Sequence, residues 1–208
     1  MKRLRSFDYH EPGSLQGAIE ALVSSGADAR VLAGGTDLLV DIKTDRVRVG
    51  TVVNLKRING LEGIETVPGG TRIGALTRVT TVEHSGLVGR LYPGLAEAAS
   101  VLASPQIRAL ATIGGNVGRA SPASDLGPAL IVHEAAAEIA GPDGARMQAV
   151  EDLYTGPGTT NLAPAEIIAS FLIPNPRERF GSAHVKLGKR GSGTDIAIAA
   201  VSAACTLG

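Results

Sequence analysis

The sequence predicts an α+β fold: a small N-terminal α/β unit, followed by a longer region built on a mainly antiparallel sheet with helices. Three observations point there. Over the first 55 residues, helix and strand signals alternate about a glycine turn. Further on, strand-like runs face each other across Pro-Gly-Gly and Gly-Pro-Asp-Gly turns. Helix-like runs are grouped between those hairpins rather than alternating with single strands.

In the first unit, Ser14 opens a helix with Leu15, Ala18, Ile19, Leu22 and Val23 on one face, and Gly26 stops it. Residues 29–33 read as a short strand. Gly34-Gly35-Thr36-Asp37 follows as a turn, with Thr36 placed to cap a helix over residues 37–43. Residues 47–55 are β-branched and strand-like. Beyond them, residues 62–67 and 71–76 flank Pro68-Gly69-Gly70 as a hairpin. Residues 81–85 form a short helix, 93–102 a stronger one, and 105–111 another helical turn. Thr112-Ile113-Gly114-Gly115-Asn116 is a second glycine turn, and 125–133 is helical with His133 in register. Residues 136–140 and 145–150 make a second hairpin, and 166–173, 181–189 and 196–207 read as further strands.

Composition narrows the function. With 44% apolar residues and no net charge, the chain has a core to bury and no disorder signature. Twenty basic residues balance twenty acidic ones, which removes the electrostatic argument for nucleic acid or an anionic membrane. No Trp, three Phe and three Tyr leave little for base stacking. The single Cys, Cys205, makes an internal disulfide or an iron–sulfur cluster impossible. Asp8, His10 and Glu11 interrupt the N-terminus before any apolar stretch, so no signal peptide is read and the cytoplasm is expected. His10, His84, His133 and His184 show no ligand spacing and read as surface or core residues; no metal site is expected.

The 27 glycines demand tight turns or close approach. In the two glycine turns, consecutive glycines let backbone N–H groups converge on an anion, and at the first turn the helix that follows at once adds its free N–H groups. Thr36 and Thr112 each offer a further hydroxyl. Gly-Gly is equally an ordinary turn. No P-loop and no Gly-x-Gly-x-x-Gly after a strand is present.

Phe7-Asp8-Tyr9-His10-Glu11-Pro12 followed by Ala33-Gly34-Gly35-Thr36-Asp37-Leu38-Leu39, and Gln106-Ile107-Arg108 followed by Thr112-Ile113-Gly114-Gly115-Asn116 and Ala120-Ser121-Pro122-Ala123-Ser124-Asp125, carry a family resemblance. So do Lys186-Leu187-Gly188-Lys189-Arg190 and Asp195-Ile196-Ala197. The chain resembles the FAD-binding (medium) subunit of the xanthine dehydrogenase and carbon monoxide dehydrogenase family of molybdenum hydroxylases. The resemblance implies a two-subdomain FAD-binding fold of the vanillyl-alcohol-oxidase/PCMH type, with subdomains at 1–55 and 56–208 and FAD between them. It implies an oxidoreductase subunit that passes electrons from iron–sulfur clusters through FAD to an acceptor. The partners implied are an iron–sulfur small subunit and a large subunit holding the molybdenum cofactor.

By the same resemblance, Leu32, Ala33, Gly34, Gly35, Thr36, Asp37, Leu38 and Leu39 lie along the FAD pyrophosphate. Thr112, Ile113, Gly114, Gly115 and Asn116 supply further phosphate and flavin contacts. Asp125 hydrogen-bonds FAD hydroxyls, as a carboxylate accepting two donors can; it equally suits a helix start. Leu102 and Ile168 match apolar flavin or adenine contacts, and Lys186 a basic residue near the isoalloxazine. Leu102 equally suits the core, and Lys186 a solvated strand. Arg108 either faces a partner or caps a helix C-terminus. Pro157 and Gly158 stand where xanthine dehydrogenases place a Tyr near the nicotinamide site, which argues against NAD as acceptor. The family's further C-terminal domain is missing from the sequence. Two other readings stay open: a stand-alone flavin oxidoreductase of this fold, and a scaffold subunit without FAD.

Overall fold

A computed structural model describes residues 5–188 and 196–208. Lys189, Arg190 and Asp195, part of the resemblance, lie outside the described residues.

The first lobe is a parallel three-stranded sheet. β1 (Asp8–His10) and β2 (Ala29–Leu32) flank β3 (Thr51–Asn54), and both pair with it in parallel. α1 (Leu15–Ser25) crosses between β1 and β2. The Oγ of Ser14 accepts the Gly17 N–H, and Gly26 at φ 65° ends the helix, both as expected. Its apolar face (Ala18, Ile19, Leu22) joins Val53, Leu55, Ile58, Leu61, Ala140, Ile167 and Ala169 in one cluster, so this helix glues the small sheet to the larger lobe. α2 (Leu38–Lys43) follows the first glycine turn. The strand expected at 47–55 is confined to β3, because residues 47–50 have no partner strand. β1 gives no signal in the sequence: it is three exposed residues held by pairing with β3 and by the Asn54 amide, which donates to the Tyr9 hydroxyl at 2.7 Å.

The second lobe is a five-stranded antiparallel sheet. β4 (Ile64–Val67) and β5 (Gly70–Gly74) make the first hairpin, β6 (Ala136–Gly141) and β7 (Gly144–Ala149) the second. β10 (Ile167–Pro174) pairs with β5 on one side and β6 on the other, giving the order β4-β5-β10-β6-β7. The helices inserted between the hairpins are α3 (Val79–Glu83), α4 (Gly86–Leu91), α5 (Pro93–Val101), α6 (Pro105–Arg108), α7 (Ile113–Arg119) and α8 (Leu126–Val132). Leu95, Ala98, Ala99, Ile113, Val117, Leu126 and Leu130 pack with Ile73, Ile139, Phe171 and Ile173 in the main core. A small hairpin, β8 (Tyr154–Gly156) with β9 (Thr159–Thr160), was not expected.

Two long strands, β11 (Phe180–Gly188) and β12 (Ala197–Thr206), form a separate antiparallel hairpin. Its inner face lies on α5 and α8. Ser182 Oγ accepts the Gly94 N–H at 3.0 Å and contacts His133 Nε2 at 3.2 Å. The His133 ring meets Tyr92 edge-on at 5.3 Å and Phe180 at 5.5 Å. The outer face carries exposed Val185, Leu187 and Val201.

Burial holds the His133 imidazole at a pKa of about 4, below its ordinary 6.5. The unfolded chain therefore binds the extra proton between those values, and stability present above about pH 6.5 is lost as pH falls toward about 4. His133→Phe keeps the ring contacts and removes the proton site. Thermal unfolding followed across that window should show a smaller loss of melting temperature in the variant than in the natural chain.

Candidate functional site

The two glycine segments touch. A Cβ on Gly34 would stand 2.3 Å from the Leu110 carbonyl oxygen and 2.9 Å from Ala111 Cα, closer than any side chain tolerates. On the other side, a Cβ on Gly115 would lie 3.7 Å from Ala33 Cβ. Residues 76 positions apart thus form one wall. Gly35 has φ 80°, the left-handed conformation that favours glycine.

The segments are not alike in hydrogen bonding. Among the described residues, no protein acceptor receives the backbone N–H of Gly34, Gly35, Thr36, Asp37 or Leu38. These five consecutive donors run from the end of β2 into α2. Thr36 does not cap α2 as expected. Asp37 occupies the cap position, in helical conformation and with no side-chain bond, because the chain turns one residue later. Leu32 is buried at the strand end, and Leu39 is exposed beside Gly35.

The second segment is a helix start rather than a turn. Thr112 caps α7 through Oγ1, which accepts the Gly115 N–H at 3.1 Å. Ile113 N–H goes to Thr77 O, Gly114 N–H to Ala75 O, and Asn116 N–H to Thr112 O. The expected convergence of free N–H groups is therefore absent here. Gly114 is glycine because a Cβ would stand 2.6 Å from Ala75 Cβ. Asn116 Oδ1 accepts from Ser124 Oγ at 2.6 Å, and Arg119 pairs with Asp41 of α2 at 3.1 Å, tying α7 to α8 and α2.

Ser124 leads to Asp125, which caps α8 without a side-chain bond to the helix. Its carboxylate is 4% exposed, and Oδ2 accepts from Lys186 Nζ at 2.8 Å. Lys186 also donates to Val101 O, next to Leu102. Leu102, Asp125 and Lys186 therefore meet at one place, where β11 crosses the end of α5. Lys186 is not a solvated strand residue and not a free cation, since Asp125 neutralises it. Leu102 and Ile168 both lie in the main core. His184 was read from sequence as an ordinary surface or core residue. It is buried with Nε2 3.6 Å from Asp125 Oδ1 and Nδ1 2.8 Å from Ser202 Oγ. No local spacing signals this, because strand pairing makes it.

Next to Ser124 an apolar pocket of about 500 Å³ opens between residues 120–124, α8 and the β8 hairpin, with Tyr154 and Pro157 on its wall. The Tyr154 hydroxyl is buried without a partner, and burial raises its pKa to about 12. Arg108 forks onto Glu83 (2.8 and 3.2 Å) and donates to the Leu102 and Ala103 carbonyls, which settles it as the C-terminal cap of α5.

Residues 5–176 match the family described as FAD binding domain in molybdopterin dehydrogenase. The chain is 37% identical over 202 residues to the carbon monoxide dehydrogenase medium chain of Afipia carboxidovorans, covering 97% of this chain and 69% of that protein. It is 35% identical over 201 residues to a xanthine dehydrogenase FAD-binding subunit of Escherichia coli O157:H7, covering 96% and 68%. A crystal structure of Cu,Mo-CO dehydrogenase in its cyanide-inactivated form superposes with a TM-score of 0.95 at 35% identity, over 100% of this chain and 72% of that one.

The buried Lys186–Asp125 pair yields a direct test. Lys186→Met strands the Asp125 carboxylate and should cost about 3–5 kcal/mol in denaturant unfolding. Adding Asp125→Leu to it should recover most of that loss.

Proposed function

The chain belongs to the family of FAD-binding domains found in molybdopterin dehydrogenases, and from that premise we propose that it is the FAD-binding electron-transfer subunit of a molybdenum hydroxylase complex. Its partners in this reading are an iron–sulfur small subunit and a large subunit holding the molybdenum cofactor, assembled in the cytoplasm. Among the described residues no helix is long and apolar enough to cross a membrane. The division into subdomains 1–55 and 56–208 belongs to the same proposal.

The observation that carries it is the row of five unpaired N–H donors over residues 34–38. Their chemistry fits a diphosphate: several donors in sequence, no side chain at Gly34 or Gly35 to block approach, and no competing protein acceptor. Leu32, Ala33, Gly34, Gly35, Thr36, Asp37, Leu38 and Leu39 would line the pyrophosphate. Thr112, whose oxygen accepts from Gly115, keeps its own hydrogen to donate. Ile113, Gly114, Gly115 and Asn116 contribute shape instead of donors, because they form the platform on which the first turn rests. Asp125, whose Oδ1 is buried without a hydrogen-bond partner among the described residues, would have to be uncovered to take a hydroxyl of the cofactor. Leu102 and Ile168 would give apolar contacts to the flavin or adenine, and Lys186 would be the basic residue near the isoalloxazine.

FAD supplies the redox chemistry when bound; the chain's own work is to bind, orient and tune it. The Lys186–Asp125 pair brings no net charge to the site. The lone Cys leaves iron–sulfur ligation to a partner.

Titration of the purified chain with FAD should reach about one FAD per chain. Inorganic pyrophosphate should compete, and Gly35→Ala, strained at its φ of 80°, should weaken FAD affinity about tenfold. A chain that takes up no FAD, or FAD binding indifferent to pyrophosphate and to Gly35→Ala, would reject residues 34–38 as the phosphate site. Co-purification with an iron–sulfur protein and a molybdenum protein would test the assembly.

A further inference from the structure

A diphosphate carries negative charge, and the cations described so far are already spent. Lys186 is neutralised by Asp125, Arg108 by Glu83 and Arg119 by Asp41. Within the row of free donors, Asp37 pairs with no cation among the described residues.

Arg78 is different. It is exposed, and its guanidinium meets no acceptor among the described residues. Its backbone, by contrast, is held firmly. On one side the Thr77 hydroxyl is buried, accepting the Gly63 N–H at 2.9 Å and donating to the Gly63 carbonyl at 3.0 Å. On the other, Val79 is buried in the main core. Arg78 and Thr112 form an antiparallel bridge. The bonds flanking it run from Val79 N–H to Ala111 O at 2.9 Å and from Ile113 N–H to Thr77 O at 3.0 Å. Residues 78 and 112 are therefore a non-hydrogen-bonded pair, with Cα atoms about 4.5 Å apart and side chains close together on one face. That face looks toward the first glycine turn. A Cβ on Gly115 would lie 2.9 Å from Thr112 Oγ1 and 3.7 Å from Ala33 Cβ, and Gly34 rests against Ala111, the neighbour of Thr112.

We propose that Arg78 is the countercharge of the anion site: a binding residue that stands beside Thr112 and takes a phosphate of the ligand held along residues 34–38. The proposal rests on the reading of those residues given above and adds the cation that reading lacks. A guanidinium fork matches two phosphate oxygens at once, which an ammonium, as a point charge, does not. No internal partner has to be given up when the ligand arrives.

The test titrates the natural chain, Arg78→Gln and Arg78→Lys with FAD and with inorganic pyrophosphate, at low and at high salt. Arg78→Gln should bind both about tenfold more weakly at low salt. Its FAD affinity should fall less steeply with added salt than that of the natural chain, because one charge pair no longer contributes. Arg78→Lys should recover part of the loss, keeping the charge without the fork. The three chains should unfold at the same temperature without ligand, since the side chain holds nothing in place. Equal affinities and equal salt dependence in the natural chain and Arg78→Gln would overturn the proposal while leaving the phosphate site standing. A ligand-free Arg78→Gln chain that unfolds at lower temperature would also overturn it, making Arg78 a structural residue. A natural chain that takes up no FAD, or whose FAD binding is indifferent to pyrophosphate, is a separate result that rejects residues 34–38 as the phosphate site, and this proposal with it.

Discussion

The approach of Gly34 to the Leu110 carbonyl sets the geometry on which the rest depends. Any side chain at residue 34 would meet that oxygen at 2.3 Å and push the two segments apart. Gly114 repeats the constraint against Ala75, so residues 112–116 are seated between β5 and the first turn. Arg119 on Asp41 closes the other end of α7 onto α2. The lobes are thus joined twice: by backbone fit at the glycine wall and by apolar packing under α1. The first join leaves donors unspent, because residues 34–38 are held in place by shape and have no acceptor among the described residues.

Much of this was legible in the sequence. The α1 stripe carries a period because one face is buried, the two hairpins carry turn residues, and β10 is a continuous apolar run buried on both faces. The misses have physical causes. β1 is three exposed residues whose partner lies more than 40 residues away. Residues 112–116 read as a turn because Gly is a poor helix former; close packing on Ala75 outweighs that cost. Thr36 has the side chain of a cap, but the chain enters α2 one residue later.

The candidate site divides the same way. The two glycine segments announce themselves by composition, whereas their unequal hydrogen bonding depends on Thr77 and Ala75, which only the fold brings near. Leu102, Asp125 and Lys186 are spread over 85 residues and meet because β11 crosses the end of α5. His184 joins them through pairing with Ser202 across the hairpin. A cluster of this kind has no spacing to read, since each member sits on a different element. Its buried ion pair is also a poor source of net stability, because desolvation offsets attraction; what it does is fix the Asp125 carboxylate against β11.

The place of β10 in the sheet bears on how the chain assembles. Both hairpins it separates are closed by short turns and form from neighbouring residues. Nothing joins them until residues 167–174 arrive to pair with β5 on one edge and β6 on the other. During synthesis, when domains consolidate as the chain lengthens, the two hairpins therefore wait with their inner edges bare. Such edges are templates for pairing with another chain. The interval between translating β6 and completing β10 is the period in which these edges are most open to pairing with another chain.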